Sequence, residues 1–240
     1  MIDNLQDLLS HIHSLGCVDL IKVEGTDDET LISGLADDRS VVVQGKFLEP
    51  IPEFKGVFGM PGMSTLKVIL GIDEYKKDAV ITLKRNAQDD LVGMHFANAK
   101  GDFTNDYRFM VSTIVEEHLK NIKFKGANWN IEFNPSEAGL LRLKSMASTT
   151  SDEATFVMKT ENNNLKFVFG DHSTNAGEFI FQHDVEGEIK RNWHWPVQHM
   201  INILSLSGDK KMYVSDDGAT KIVVNSGIAE YSFILPAQSK

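Results

Sequence analysis

The stretch NIEFNPSEAGLLRLK, residues 130–144, changes its hydrophobic period halfway along, and that change decides how the chain is read. Ile131 and Phe133 alternate with Asn130, Glu132 and Asn134, the period of two that suits a half-buried strand. After Pro135 the spacing lengthens, and Leu140, Leu141, Leu143 and Ala147 recur at helical intervals. Asn134 as N-cap, Pro135 in the first turn and Glu137 as an early acid mark the start of that helix. A strand thus feeds a short helix, which indicates an α+β chain.

Three other segments share the helical spacing. In 4–15, Leu5, Leu8, Leu9, Ile12 and Leu15 recur at threes and fours; in 61–71, Met63, Leu66, Ile69 and Leu70 form one face. In 196–206, Val197, Met200, Ile201 and Leu204 are apolar, and Gly208 is available to end the helix. Most of the remainder reads as short strands, at 17–23, 40–47, 79–84, 91–97, 155–160, 166–169, 178–183, 211–215, 220–225 and 229–235. Asn162-Asn163 and Asp216-Asp217-Gly218 are hairpin turns, where positive φ is required. Each half therefore runs helix, strands, second helix, strands, an architectural repeat with little residue identity behind it. The expected division is a first domain over 1–110, a connector over 111–126 carrying Ile114, Val115 and Leu119, and a second domain over 127–240. Only the second half has a clear strand before its first helix.

At 240 residues and 42% hydrophobic content the chain can bury a proper core. Met1-Ile2-Asp3-Asn4 has neither a basic flank nor an apolar run, and no stretch reaches membrane-spanning length, so a cytoplasmic location is expected. The single cysteine, Cys17, can form neither an internal disulfide nor a multi-thiolate metal site. With 34 acids against 24 bases the net charge is −10, which repels nucleic acid at long range and excludes a simple basic DNA binder. It leaves open a protein that encircles DNA, because topology then replaces electrostatic affinity.

Three segments carry a resemblance. WPVQHMINILSL (195–206) is followed by KMYVS (211–215), a hairpin, KIVVN (221–225) and AEYSFILPA (229–237), a helix and then three strands. Residues 130–144 supply a strand and first helix, and 58–73 with the strand from Ala79 supply a second helix and its strand. In this order they resemble the sliding clamps of DNA replication, the fold shared by proliferating-cell nuclear antigen and phage clamps. The resemblance spans nearly the whole chain and rests on order and spacing. It implies two tandem clamp domains, each with two short helices on antiparallel sheets, and a homotrimer that encircles duplex DNA. It further implies a processivity factor that tethers the polymerase, has no catalytic activity or cofactor of its own, and is loaded by a separate ATP-driven clamp loader.

On that reading the polar helix faces look at DNA. They present Ser64 and Lys67, then Arg142, Lys144 and Ser145, then Gln198, His199, Asn202 and Ser205, followed by Lys210 and Lys211. Such groups touch phosphates without reading bases. Any amphipathic surface helix also turns polar residues outward. The first helix, with Asn4, Asp7, Ser10, His11 and Ser14, adds little positive charge. The resemblance places docking of short hydrophobic peptides from the polymerase and loader beside the connector and the C-terminal tail, at Ile114, Val115, Leu119, Phe233, Leu235, Pro236 and Ala237. Core packing is the competing role for Phe233 and Leu235.

Other chemistries are poorly supported. His11 and His13, two apart on a helix, point to different sides. Asp184, Glu186 and Glu188 suit a solvated acidic surface. Gly56-Val-Phe-Gly-Met-Pro-Gly62 lacks the lysine and hydroxyl residue of a phosphate loop, so its glycines are expected to shape a helix entry. Trp193 and Trp195, two apart on a strand, share a face and leave a carbohydrate-binding or phage structural module as the alternative.

Overall fold

The computed structural model describes residues 1–76, 78–120, 124, 126–171, 173 and 175–238. The chain forms two compact units, Met1–Lys123 with Ser226–Tyr231, and Phe124–Asn225 with Ser232–Lys240. Among the described residues no helix is long and apolar enough to cross a membrane.

Unit 1 begins with α1 (Ile2–His11) and a 3₁₀ turn at His13–Leu15. Then come β1 (Leu20–Gly25), β2 (Thr30–Leu35), β3 (Val42–Phe47), β4 (Gly56–Pro61), α2 (Met63–Leu70) and β5 (Val80–Arg85). It continues with β6 (Leu91–Ala97), β7 (Thr104–Arg108), β8 (Met110–Val111) and α3 (Ser112–His118). One antiparallel sheet runs β8-β4-β1-β2-β3, and a second runs β5-β6-β7. In β1 the alternation is plain: Ile21 and Val23 are buried, while Lys22 and Glu24 turn outward. Leu5, Leu8 and Ile12 of α1 and Met63 and Leu66 of α2 are buried in the core, where Phe58 stacks on Phe109 at 4.3 Å. Each such side chain contributes about 1.5–3 kcal/mol by leaving water. Residues Ser226–Tyr231 belong to this unit, and the Leu48 N–H donates to the Ile228 carbonyl at 2.9 Å.

Unit 2 holds β9 (Ile131–Phe133), α4 (Glu137–Thr149), β10 (Thr155–Glu161), β11 (Asn164–Phe169), β12 (Gly177–Gln182) and β13 (His194–Pro196). It ends with α5 (Val197–Leu204), β14 (Asp209–Ser215), β15 (Ala219–Asn225) and β16 (Ala229–Pro236), whose first residues fall in unit 1. Its sheets run β12-β11-β10-β13 and β16-β15-β14-β9. Phe156, Phe167, Phe169 and Phe181 stack in its core, Phe167 lying 4.2 Å from Phe181 and near-parallel to it. The β10–β11 turn is made by Asn162 (φ 50°) and Asn163 (φ 58°), the left-handed pair that matches strand twist. Each unit is thus α+β: among the described residues unit 1 sets α1, α2 and the shorter α3, and unit 2 sets α4 and α5, against two antiparallel sheets.

The structure corrects several expectations. Ser136, rather than Asn134, caps α4, because its Oγ is placed to accept the Gly139 N–H at 3.0 Å. Residues 56–61 are not a helix entry but strand β4, paired with β1 and β8; Gly62 alone, at φ 62°, opens α2. The segment read as a connector starts with β8 and α3. Its residues 121–123 and 125, which include Lys123 and Lys125, lie outside the described residues.

Candidate nucleic-acid interface

Each helix buries one stripe and exposes another, and the exposed stripes define the candidate surface. On α1 the buried Leu5, Leu8 and Leu9 leave Asp3, Gln6 and Ser10 in solvent. Asp7 and His11, expected outward, are buried at 8% and 2% exposure. Tyr231 explains this. Its hydroxyl donates to Asp7 Oδ2 at 2.7 Å, and its ring lies parallel to the His11 imidazole at 5.0 Å. Ser226 Oγ donates to the same carboxylate oxygen at 3.0 Å, and His11 Nδ1 lies 3.1 Å from Oδ1. Burial pushes the Asp7 carboxyl up, but the His11, Tyr231 and Ser226 hydrogen bonds and the His11 charge outweigh it and leave the pKa below the ordinary carboxylate value.

On α2, Met63, Leu66 and Ile69 are buried, and Ser64, Thr65, Lys67 and Val68 are exposed. Lys67 makes no ion pair among the described residues. In unit 2, α4 exposes Arg142, Lys144 and Ser145. Arg142 Nη1 donates to the Ile180 carbonyl on β12 at 3.2 Å, which anchors one nitrogen of an otherwise exposed side chain. Ser145 Oγ donates to the Leu141 carbonyl at 3.0 Å. On α5, Gln198 Nε2 donates to Asn202 Oδ1 at 2.7 Å, and His199 and Asn202 are half-buried.

Lys210 and Lys211 do not form one patch. They are neighbours on β14, and a strand sends neighbours to opposite faces. Lys210 shares the side of the buried Met212 and Val214; burial lowers its pKa, and its Nζ donates to the Gly208 carbonyl at 3.0 Å. Lys211 shares the side of Tyr213 and is ion-paired with Glu132, whose hydrogen bond raises its pKa.

The docking candidates also separate. Val115, Phe233 and Leu235 are fully buried and offer a ligand no area. Val115 is held by a close approach of α3 to β4: a Cβ at Gly59 would lie 2.8 Å from Val115 Cγ2. Ile114 (46% exposed) and Pro236 remain accessible, and Leu119 and Ala237 are half-buried. The tail is fixed in unit 2, where the Ala237 N–H donates to Gly218 and the Gln238 N–H to His194.

A stacking platform at Trp193 and Trp195 is overturned. Trp195 is fully buried, while Trp193 Nε1 donates to the Asp216 carbonyl and its indole covers Gly218. Burial, helped by the charges of Asp38 and Asp37, pushes the Cys17 thiol up to about 11, far from nucleophilic range. Among the described residues no group of three or more His, Cys, Asp or Glu is placed to hold a metal ion. One aromatic cluster has no counterpart among the sequence expectations. Lys221 Nζ lies 4.1 Å from the Tyr213 ring and 5.1 Å from Trp129, which stacks with Phe124. Alternation along β14 and β15 is its only local signal.

No protein-family model matches the chain, and no curated protein matches it. Among solved structures it is similar to A. fulgidus PCNA bound to the C-terminal region of FEN-1, with TM-score 0.71 and 9% identity over 100% of this chain and 96% of that one. It is also similar to PCNA from Thermococcus kodakaraensis, with TM-score 0.66 and 12% identity over 99% and 97%. The PCNA2–PCNA3 complex from Sulfolobus tokodaii matches with TM-score 0.64 and 13% identity over 98% and 97%. At these identities the likeness speaks for the fold: the chain has the two-domain sliding-clamp fold.

Proposed function

We propose that this protein is a sliding-clamp subunit, three copies of which close around duplex DNA and tether a replicative DNA polymerase to it. The observation that carries the reading is recurrence over the full chain. Among the described residues both units combine short helices, α1 to α3 in unit 1 and α4 and α5 in unit 2, with two antiparallel sheets, and both are covered in the match to clamps. Three subunits of two such units supply the six modules of a ring. β7 and β12 lie at sheet edges, and pairing of such edges between copies would remove them from solvent.

The charge balance agrees with this role. At net charge −10 the protein gains little from free electrostatic binding, whereas a ring held by topology needs only weak contacts to phosphates. A few exposed cationic side chains on the helices meet that need. The A. fulgidus PCNA structure holds the C-terminal region of another protein. By analogy, short hydrophobic peptides of the polymerase and of an ATP-driven loader would use the accessible Ile114 in unit 1 and Pro236 and Ala237 in unit 2. The protein would act as a scaffold, without catalysis or cofactor, in the compartment that holds the DNA.

Negative-stain imaging and light scattering of the purified protein test this reading. Rings with an open centre and the mass of three 26.8 kDa subunits are expected. A monomer or dimer at micromolar concentration refutes it.

A further inference from the structure

We infer that the two units share the work on DNA unequally: α4 of unit 2 supplies the phosphate contact through Arg142 and Lys144, while α1 and α2 of unit 1 present a near-neutral surface. This rests on the clamp reading above and assigns the contact within it. On α1 and α2 of unit 1 the exposed charges are Asp3 and Lys67, which cancel, and the unit's third helix, α3, adds the exposed acids Glu116 and Glu117. Asp7 and His11, which could have altered that balance, are buried against Tyr231. Val68, beside Lys67, is 68% exposed and brings apolar surface instead of a donor.

The balance differs in unit 2. Arg142 and Lys144 outweigh Glu137 of the first turn, leaving α4 with net positive charge, and α5 adds no lysine or arginine. The neighbouring hydroxyls do not substitute for these cations. Ser145 donates to the Leu141 carbonyl and Ser148 to the Lys144 carbonyl at 2.9 Å, so each already uses its one proton within the helix. The two cations also differ in kind. Arg142 is oriented by the Ile180 carbonyl, so little side-chain freedom is given up when it meets a phosphate, whereas Lys144 is a mobile point charge without an ion pair among the described residues.

The test is equilibrium binding of the purified full-length protein to a short duplex with open or blocked ends, measured by fluorescence anisotropy across a salt series. Lys67→Ala, the double variant Arg142→Ala/Lys144→Ala, and Ser145→Ala are compared with the parent protein, each checked for assembly by light scattering. Removing one cation from a phosphate lowers the slope of log K against log salt by about 0.9. The double variant is expected to forfeit most of the slope, Lys67→Ala less than a third as much, and Ser145→Ala none. Arg142→Lys is expected to keep the slope and bind more weakly. Parent binding that blocked ends abolish, together with equal slope reductions for Lys67→Ala and the double variant, overturns the unequal division alone. Parent binding indifferent to blocked ends overturns encirclement, and this assignment with it.

Discussion

Removing one hydroxyl from Tyr231 is expected to destabilise unit 1 by about 2 kcal/mol, the middle of the range for a hydrogen bond to a charged group. The Tyr231 hydroxyl donates to Asp7 Oδ2 at 2.7 Å from a fully buried ring, and in Tyr231→Phe that ring can stay where it is. Stacking on His11 then persists, and Asp7 keeps Ser226 and His11 as donors. Asp7→Ala goes further: it removes the carboxylate that Tyr231, Ser226 and His11 share. Loss of one partner from a buried ionic cluster costs about 3–5 kcal/mol. Both variants can be compared with the parent by urea denaturation followed by circular dichroism. The sign of the pH effect follows from the lowered Asp7 pKa. A carboxyl held below its ordinary value of 3.8 contributes its stability fully above that value and loses it as the pH falls through the lowered one. The parent's advantage over Asp7→Asn should therefore be complete at neutral pH and shrink in acid below 3.8. A Tyr231→Phe protein within about 0.5 kcal/mol of the parent, the usual range for a neutral surface change, would overturn this account of the cluster.

Other outcomes follow from single contacts. Ser136→Ala removes the α4 cap and should cost about 0.5–2 kcal/mol, read from the denaturation midpoint, with Ser136→Asp restoring most of it. Gly59→Val drives a side chain into Val115, so a destabilisation of about 1–3 kcal/mol and earlier proteolysis around α3 are expected. With its pKa pushed up to about 11, Cys17 should react with a thiol reagent at pH 8 more than tenfold more slowly than an unperturbed thiol, and at an ordinary rate once urea unfolds the chain.

Elements that bury one face of a regular period were legible in the sequence. The leucines of α1, the apolar stripe of α5, the alternation in β15 and the Asn162-Asn163 turn all carry local signals, because the residues that decide them are neighbours in the chain. The strands β7 and β4 lacked such signals. Thr104-Asn-Asp-Tyr-Arg buries only Tyr107, and β4 contains Gly56 and Gly59, so neither shows a hydrophobic period; the register comes from β6 and β1.

The candidate site divides in the same way. That Lys67, Arg142 and Lys144 lie on helices was readable from spacing, and the structure leaves all three exposed. That Asp7 and His11 turn inward, that Val115 lies under Gly59, and that Lys210 and Lys211 part company could not be read there. Periodicity alone was enough for the α+β class and for the recurrence of two helices per half, since it reports which face of a segment avoids water. Which polar residues that face would include depended on packing between segments remote in the chain. Tyr231, 224 positions from Asp7, makes burial of a carboxylate tolerable, and no local pattern encodes a partner so far away.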